Sequence, residues 1–241
     1  MPPRKEKKPA HAYHAHRERQ RRRILDAAWT LFDAHGIDAV TMAEITAGSG
    51  VRPSTMYQYF ANKDEIVWEI LRDLMQEVSG RAIQRLEGAP NAVERLTALL
   101  EFMADELAQF PMEVRFMAQF DSMYARHWPA ERLTSLESQI NPAGFDIFTQ
   151  LIREGIADGS LRSDLDPDLT MHAIMNAVIG AQRRLASLGT KIEQEYGKPI
   201  DGLFRETIRV LLMGLRAPET PKRASSQRKH SVKRRTRKRS A

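Results

Sequence analysis

A chain of 241 residues, 42% of them hydrophobic, can bury one or two cores, and its sparse aromatics and plentiful Ala, Leu, Glu, Arg and Met favour helix over strand. It has no cysteine, which excludes disulfides and thiolate metal sites, and its longest apolar run, Ala173–Ala181, is broken by Asn176 and too short for a bilayer span. The net charge of +6 divides into two basic ends around an acidic middle: nine Lys/Arg against two Glu over 1–23, eleven against one over 216–241, and 17 against 28 between them.

The first structured element is expected to start near Arg19, because Ile24, Ala28, Leu31 and Phe32 recur at helical spacing and Gly36 closes the run. Thr41 reads as the N-cap of a second, brief helix, with Glu44 completing a capping box. After the turn at Gly48–Gly50, Pro53 suits the first position of a third helix that runs to about Phe60. Asn62 caps a fourth, with Ile66, Ile70, Leu74 and Val78 on its apolar face. Gly88-Ala-Pro90 is a break, after which Val93, Leu96, Leu100, Met103 and Leu107 form a stripe and a short helix covers Met112–Phe120. A longer helix is expected over Ala130–Ala157, kinked at Pro142. Asp166 and Pro167 start another to Leu188, and the last spans Ile200–Leu215. The expectation is an all-α fold of about nine helices, without a confident strand or a repeat.

Two short helices joined through Gly50 have the spacing of a helix-turn-helix, with Val51 as the buried residue of the turn and Ile45 and Met56 packing the helices together. A second helix held this way protrudes, so its first turns can enter a major groove. Its outward residues Arg52, Ser54, Thr55, Gln58 and Tyr59 are mostly hydrogen-bonding groups, unlike those of a core helix.

Ala27, Ala28, Phe32, Gly36, Thr41, Ile45, Gly50, Val51, Thr55, Tyr57, Tyr59, Phe60 and Lys63 stand in one register, and with them about fifty residues resemble the DNA-binding domain of the TetR family. The resemblance implies an N-terminal three-helix DNA-binding domain over 19–78, with its helix-turn-helix at 41–60, and an effector-binding and dimerisation domain over 79–215. Basic disordered segments at 1–18 and 216–241 would flank them. Thr41, Tyr59 and Lys63 would bond phosphates, while Arg52, Pro53, Ser54, Thr55, Tyr57 and Gln58 would line the groove face, Arg52 and Gln58 reading bases. Two structural alternatives stand beside these roles: Tyr57 packed against the first helix, and Thr41 acting as a cap alone. Arg52 departs from the family's small hydroxyl residue and cannot cap the recognition helix, which leaves Pro53 to set its start.

In such proteins the second domain encloses an effector pocket, for which Phe102, Met103, Phe116, Phe120, Met123, Tyr124, His127, Trp128, Phe145, Phe148 and Met175 are candidates, with Asp121, Tyr124 and His127 orienting the ligand; a plain core is the bland alternative. The resemblance also implies a homodimer through the last two long helices. Ala173, Ala177, Gly180 and Ala181 allow close approach there, and Phe204, Ile208, Leu211, Leu212 and Leu215 offer an apolar stripe.

His11, His14 and His16 have no fixed backbone to hold a metal, and Asp164, Asp166 and Asp168 lack the Gly and Glu of a calcium loop, so no metal and no cofactor is expected. No nucleophile elbow or phosphate-binding Gly loop occurs, so no enzyme is expected either. The expected partners are double-stranded DNA, a small apolar or amphipathic effector and a second copy of the chain, in the cytoplasm and away from membranes. The basic ends either attract phosphates without reading sequence or are only solvated. The rival reading is a nucleoid-type protein that coats DNA through those ends. The resemblance implies a repressor released from a palindromic operator by its effector, since most relatives repress, although nothing in the residues themselves separates a repressor from an activator.

Overall fold

The computed structural model describes residues 10–86, 89–140 and 146–218. Eleven helices and no strand occur among them: α1 (Ala10–His35), α2 (Met42–Ser49), α3 (Pro53–Tyr59), α4 (Lys63–Leu86), α5 (Ala92–Gln109), α6 (Pro111–Tyr124), α7 (Ala130–Ile140), α8 (Asp146–Ala157), α9 (Pro167–Leu188), α10 (Thr190–Tyr196) and α11 (Ile200–Leu215). The all-α class is as expected, and the two additional helices have simple causes. The helix expected over Ala130–Ala157 is two, α7 and α8, on either side of 141–145; the expected kink at Pro142 lies outside the described residues. α10 buries only Ile192, so its sequence shows no apolar period to recognise.

Helix α1 starts at Ala10, nine residues before the expected Arg19, and this corrects the disordered segment drawn over 1–18 for its described part. The added residues alternate Ala10, Ala12 and Ala15, the best helix formers, with three His, and they extend a helix already nucleated over the buried Ile24, Leu25 and Ala28. Residues 14–19 are exposed, and the segment carries no apolar stripe that could have announced it.

Two hydrophobic cores organise the chain. The first gathers Ile24, Ala28 and Phe32 of α1, Ile45 of α2, Met56 of α3 and Ile66, Ile70 and Leu74 of α4, with Phe116 and Phe120 of α6 closing it. The second packs Leu96 and Leu100 of α5, Ile152 of α8, Met171 and Val178 of α9 and Phe204 and Ile208 of α11. Helix α4 runs without a break through the boundary expected at residue 78, because its first half belongs to the first core and its second half, Met75 to Leu86, lines a cavity beside the second.

The local starts and stops follow from particular side chains. Thr41 Oγ1 accepts from the Glu44 N–H at 3.3 Å while Glu44 Oε2 accepts from the Thr41 N–H at 2.7 Å, the reciprocal capping box expected at α2. Gly50 ends that helix at φ 64° and donates to the Ala47 carbonyl at 3.2 Å. A side chain there would be strained, and its Cβ would stand 3.0 Å from the Arg23 guanidinium. Arg52 makes no side-chain cap, so α3 starts on the fixed φ of Pro53.

Candidate nucleic-acid interface and effector cavity

Helix α3 is seven residues long and two-faced. Val51, Met56 and Phe60 are buried in the first core, which fixes the rod, while Arg52, Pro53, Ser54, Tyr57 and Gln58 are exposed together on the other side. Tyr57 is 59% exposed, which sets aside its packing against α1 and leaves its ring on the outward face. Thr55 and Tyr59 are half-buried. The Tyr59 hydroxyl donates to Gln20 Oε1 at 3.0 Å, and Arg17 lies 5.6 Å from its ring centroid, so the N-terminal half of α1 runs beside the end of α3.

Like Tyr59 with Gln20, the other two expected phosphate ligands already have partners. The Lys63 ammonium donates to the carbonyls of Ile37, Asp38 and Val40 at 2.7, 3.1 and 2.8 Å, which matches its three N–H bonds one for one and pins the α1–α2 loop. The Thr41 hydroxyl and amide are both engaged by Glu44. In this arrangement both residues position the helix-turn-helix. The family pattern lists residue types, and a residue type does not say whether its donors are already taken. Conversely, the exposed Arg17, Arg19 and Arg23 of α1 have no acidic partner among the described residues and stand on the helix that flanks α3. Their signal was the basic run, whose helical continuation was not legible.

A cavity of about 280 Å³ opens between α4, α5, α6, α7, α8 and α9, with an almost wholly apolar wall. Of the sequence candidates, Phe102, Met103, Phe148 and Met175 line it. The remaining described ones do not. Phe116 packs on Trp29 and Phe32, and Phe120 on Trp68, in the first core, because on α6 it is the Val114–Met117 side that faces the cavity. Met123 is half-buried against that same core. The Tyr124 hydroxyl accepts from Trp68 Nε1 at 2.9 Å and donates to Asp64, while His127 and Trp128 are exposed beyond the end of α6. Asp121 is paired with Arg183, and the side chain of Phe145 lies outside the described residues. Sequence reasoning missed Met75, Val78 and Ile83 of α4, although an apolar stripe that continues past the first core was the available sign.

The dimer candidates divide in the same way. Ala173, Ala177 and Gly180 are exposed along α9, with Ala181 half-buried. Phe204, Ile208, Leu212 and Leu215 are instead buried within the protomer, and Leu211 is packed against them, which corrects their assignment to an intersubunit face. An amphipathic helix directs its strongest apolar stripe to its own core. The apolar residues that α11 leaves outside are Val210 and Met213, 56% and 60% exposed.

His14 and His16 are exposed on α1, and the side chain of His11 lies outside the described residues. Asp166 caps α9 by accepting from the Leu169 N–H at 2.9 Å, whereas Asp164 pairs with Arg162 and Asp168 with Arg153. Among the described residues no helix is long and apolar enough to cross a membrane.

Residues 24–70, which hold the helix-turn-helix, match the family model described as bacterial regulatory proteins, tetR family. Over 167 residues the chain is 30% identical to the HTH-type transcriptional repressor KstR2 of Mycolicibacterium smegmatis, covering 64% of this chain and 74% of that one. The chain belongs to the TetR family. Like those TetR-family relatives, it is a DNA-binding transcriptional regulator. The fold agrees along most of its length. The ketosteroid transcriptional regulator KstR2 of Mycobacterium tuberculosis superposes with a TM-score of 0.62 at 23% identity, over 83% of this chain and 96% of that one. A transcriptional regulator from Saccharomonospora viridis in complex with choline gives 0.65 at 21%, over 83% and 100%. TetR-family membership thus rests on the sequence match, and these two structures add the shared fold.

Proposed function

We propose that the protein is a cytoplasmic homodimeric repressor, not an enzyme, that holds two copies of α3 in successive major grooves of a palindromic operator and lets go when a small, largely apolar molecule enters the cavity. The observation that carries this is the two-faced α3: a rod anchored by Met56 and Phe60 that turns Arg52, Ser54, Tyr57 and Gln58 outward as a group. Arg52 and Gln58 are the base readers, suited to guanine and adenine respectively. Pro53, Thr55 and Tyr57 shape the groove face, and Tyr59 with Arg17, Arg19 and Arg23 supplies phosphate contacts that fix register. Thr41 and Lys63 hold the motif in place for them.

Two copies would meet through the exposed small residues of α9, Ala173, Ala177 and Gly180, and through Val210 and Met213 of α11. The units are a DNA-reading part ending within α4 and a ligand-binding and dimerisation part extending to α11. Release follows from α4, which belongs to the first core through Ile66–Leu74 and to the cavity wall through Leu74–Leu86. A ligand that prefers one tilt of α4 biases the spacing of the two recognition helices, by no more than its difference in affinity between the two conformers. The relatives' names fit a repressor, and a ketosteroid regulator and a choline complex among structures of the same fold fit a small-molecule effector.

Sequencing the DNA that the purified protein selects from a random pool tests this directly. A two-fold symmetric site is expected, and Gln58→Ala relaxes one base position in each half at a cost of about 1–3 kcal/mol. Equal affinity for selected and random DNA would point to coating through the basic ends and overturn the proposal.

A further inference from the structure

Helix α4 has two unlike halves. Its buried residues run from Ile66 to Leu74, inside the first core, and from Met75 to Leu86 it buries none. The apolar stripe continues through Met75, Val78, Ala82 and Leu86, but there it lines the cavity in place of a packed core.

The second half is fastened by arginines. Arg81 donates from Nε to Glu106 Oε1 at 2.9 Å and from Nη2 to Glu106 Oε2 at 2.6 Å, and Nη2 also reaches Glu113 at 2.9 Å. Its guanidinium lies 4.3 Å from the Phe110 ring centroid. One turn on, Arg85 Nη2 donates to Asp105 Oδ2 at 3.1 Å, on the exposed side. Glu106 is buried, so the two-pronged Arg81 contact is the harder of the two to break. Helix α6 also crosses between the two parts of the protomer, with Glu113 near its start and Phe116 and Phe120 in the first core. Arg81 therefore pins both crossing helices, α4 and α6, to α5 at one place.

Just before Arg81 comes Ser79-Gly80. Gly80 is helical and exposed, and a Cβ built on it would meet nothing within 4 Å, so neither backbone conformation nor packing calls for glycine there. Glycine weakens a helix interior, and Gly/Ser pairs are among the few places where helices kink. The cavity straddles this point: Met75, Val78 and Ser79 line it on one side, and Ala82, Ile83 and Leu86 on the other.

We propose that Ser79-Gly80 is the joint about which the DNA-reading part turns, and that Arg81 is the positioning residue that fixes the far side of that joint. A molecule in the cavity touches α4 on both sides of the joint and so sets its bend. Because the far side is fastened to α5 and α6, the change is expressed at α3. This rests on the effector reading given above, to which it adds the place where α4 gives way and the residue that holds the other end still.

The chain has no cysteine, so spin labels can be placed on the full-length protein at Ala34→Cys of α1 and Glu101→Cys of α5, both exposed. Diluted with unlabelled protein, the pair reports the distance within one protomer by double electron–electron resonance. Gly80→Ala, which displaces no neighbour, narrows the distance distribution, whereas Arg81→Met broadens it. Lost stability would not move adjacent residues in opposite directions. Should Arg81→Met fail to fold, Arg81→Met combined with Glu106→Gln removes the contact without leaving a buried charge, and gives the same broadening. Met103→Trp, checked for folding by circular dichroism, fills the cavity from α5 and stands in for a ligand. It moves the maximum of the distribution and weakens binding to the DNA that the unmodified protein selects by about tenfold, but by no more than about twofold when Gly80→Ala is present. An equal loss with and without Gly80→Ala, or a distribution that Gly80→Ala does not narrow, overturns the joint. An unchanged width without the Arg81 contact overturns its anchoring role, and the effector reading stands in both cases. If Met103→Trp alters neither the distance nor DNA binding in any of these proteins, the cavity has no influence on α3, and the effector reading falls together with the joint.

Discussion

Lys63 shows how much the meaning of one residue depends on what surrounds it. A lysine at the start of the helix after a recognition helix suggests a phosphate contact, yet its ammonium is enclosed by the carbonyls of Ile37, Asp38 and Val40. Those carbonyls sit in the loop between α1 and α2, so the effect of the lysine on DNA binding would be exerted through geometry. Lys63→Met is expected to lower unfolding free energy by about 1–3 kcal/mol in urea titrations, because a charged donor and three acceptors lose one another. The salt dependence of operator binding stays unchanged; a slope reduced by about one would instead mark a direct phosphate contact. Thr41 belongs to the same class, since Glu44 occupies both of its polar groups. Gln58 is the opposite case, an exposed amide that donates or accepts no side-chain hydrogen bond among the described residues, as the proposed base contact requires.

At the scale of elements, α7 is held differently from its neighbours. It has no fully buried residue, and Leu133 and Leu136 only rest against the first core. Its firmest attachment is Arg132, whose guanidinium lies 3.8 Å from the Trp68 ring centroid and pairs with Asp64 Oδ2 at 3.0 Å. The other end of the same helix brings Glu137 and Ile140 to the cavity. One short helix therefore joins the cavity to the start of α4. Arg132→Ala costs about 1 kcal/mol of stability, the size of a partly desolvated cation–π contact. It raises amide exchange along α7, and the effector loses part of its power to release DNA while its own affinity changes little. Unchanged exchange in α7 would show that the helix is held by Leu133 and Leu136 instead.

Two kinds of surface matter for the molecule as a whole. The first is the exposed part of the last helices, the small residues Ala173, Ala177 and Gly180 of α9 and the apolar Val210 and Met213 of α11. Met213→Glu is expected to give a monomer in sedimentation equilibrium, with operator affinity reduced to that of a half-site and with the thermal midpoint of the protomer nearly unchanged, since the side chain contributes little to its own core. A dimer that survives this change places the interface elsewhere. The second surface is the basic end beyond Arg216, of which residues 219–241 lie outside the described ones. Deleting 217–241 weakens DNA binding and flattens its salt dependence without altering the selected sequence, as expected of counterion release with no base contact. A footprint that moves to a different sequence would contradict that.

The amino-acid order was sufficient for everything that depends on neighbours along the chain. The capping box at Thr41, the Gly50 turn, the Pro53 start and the bounds of α9 and α11 all follow from local chemistry, and so does the register that identifies the helix-turn-helix. Periodicity also showed which helices have an apolar face. It left open which core each face joins, because a stripe carries no label for its partner: Phe116 and Phe120 turned toward α1 and α4, and Phe204 and Ile208 toward their own protomer. The tertiary fold alone decided that α4 would pass from the first core to the cavity wall, that Lys63 would be enclosed by carbonyls and that Glu137 would stand at a hydrocarbon wall. These are matters of distance between residues far apart in the chain, set by how eleven helices fill space together.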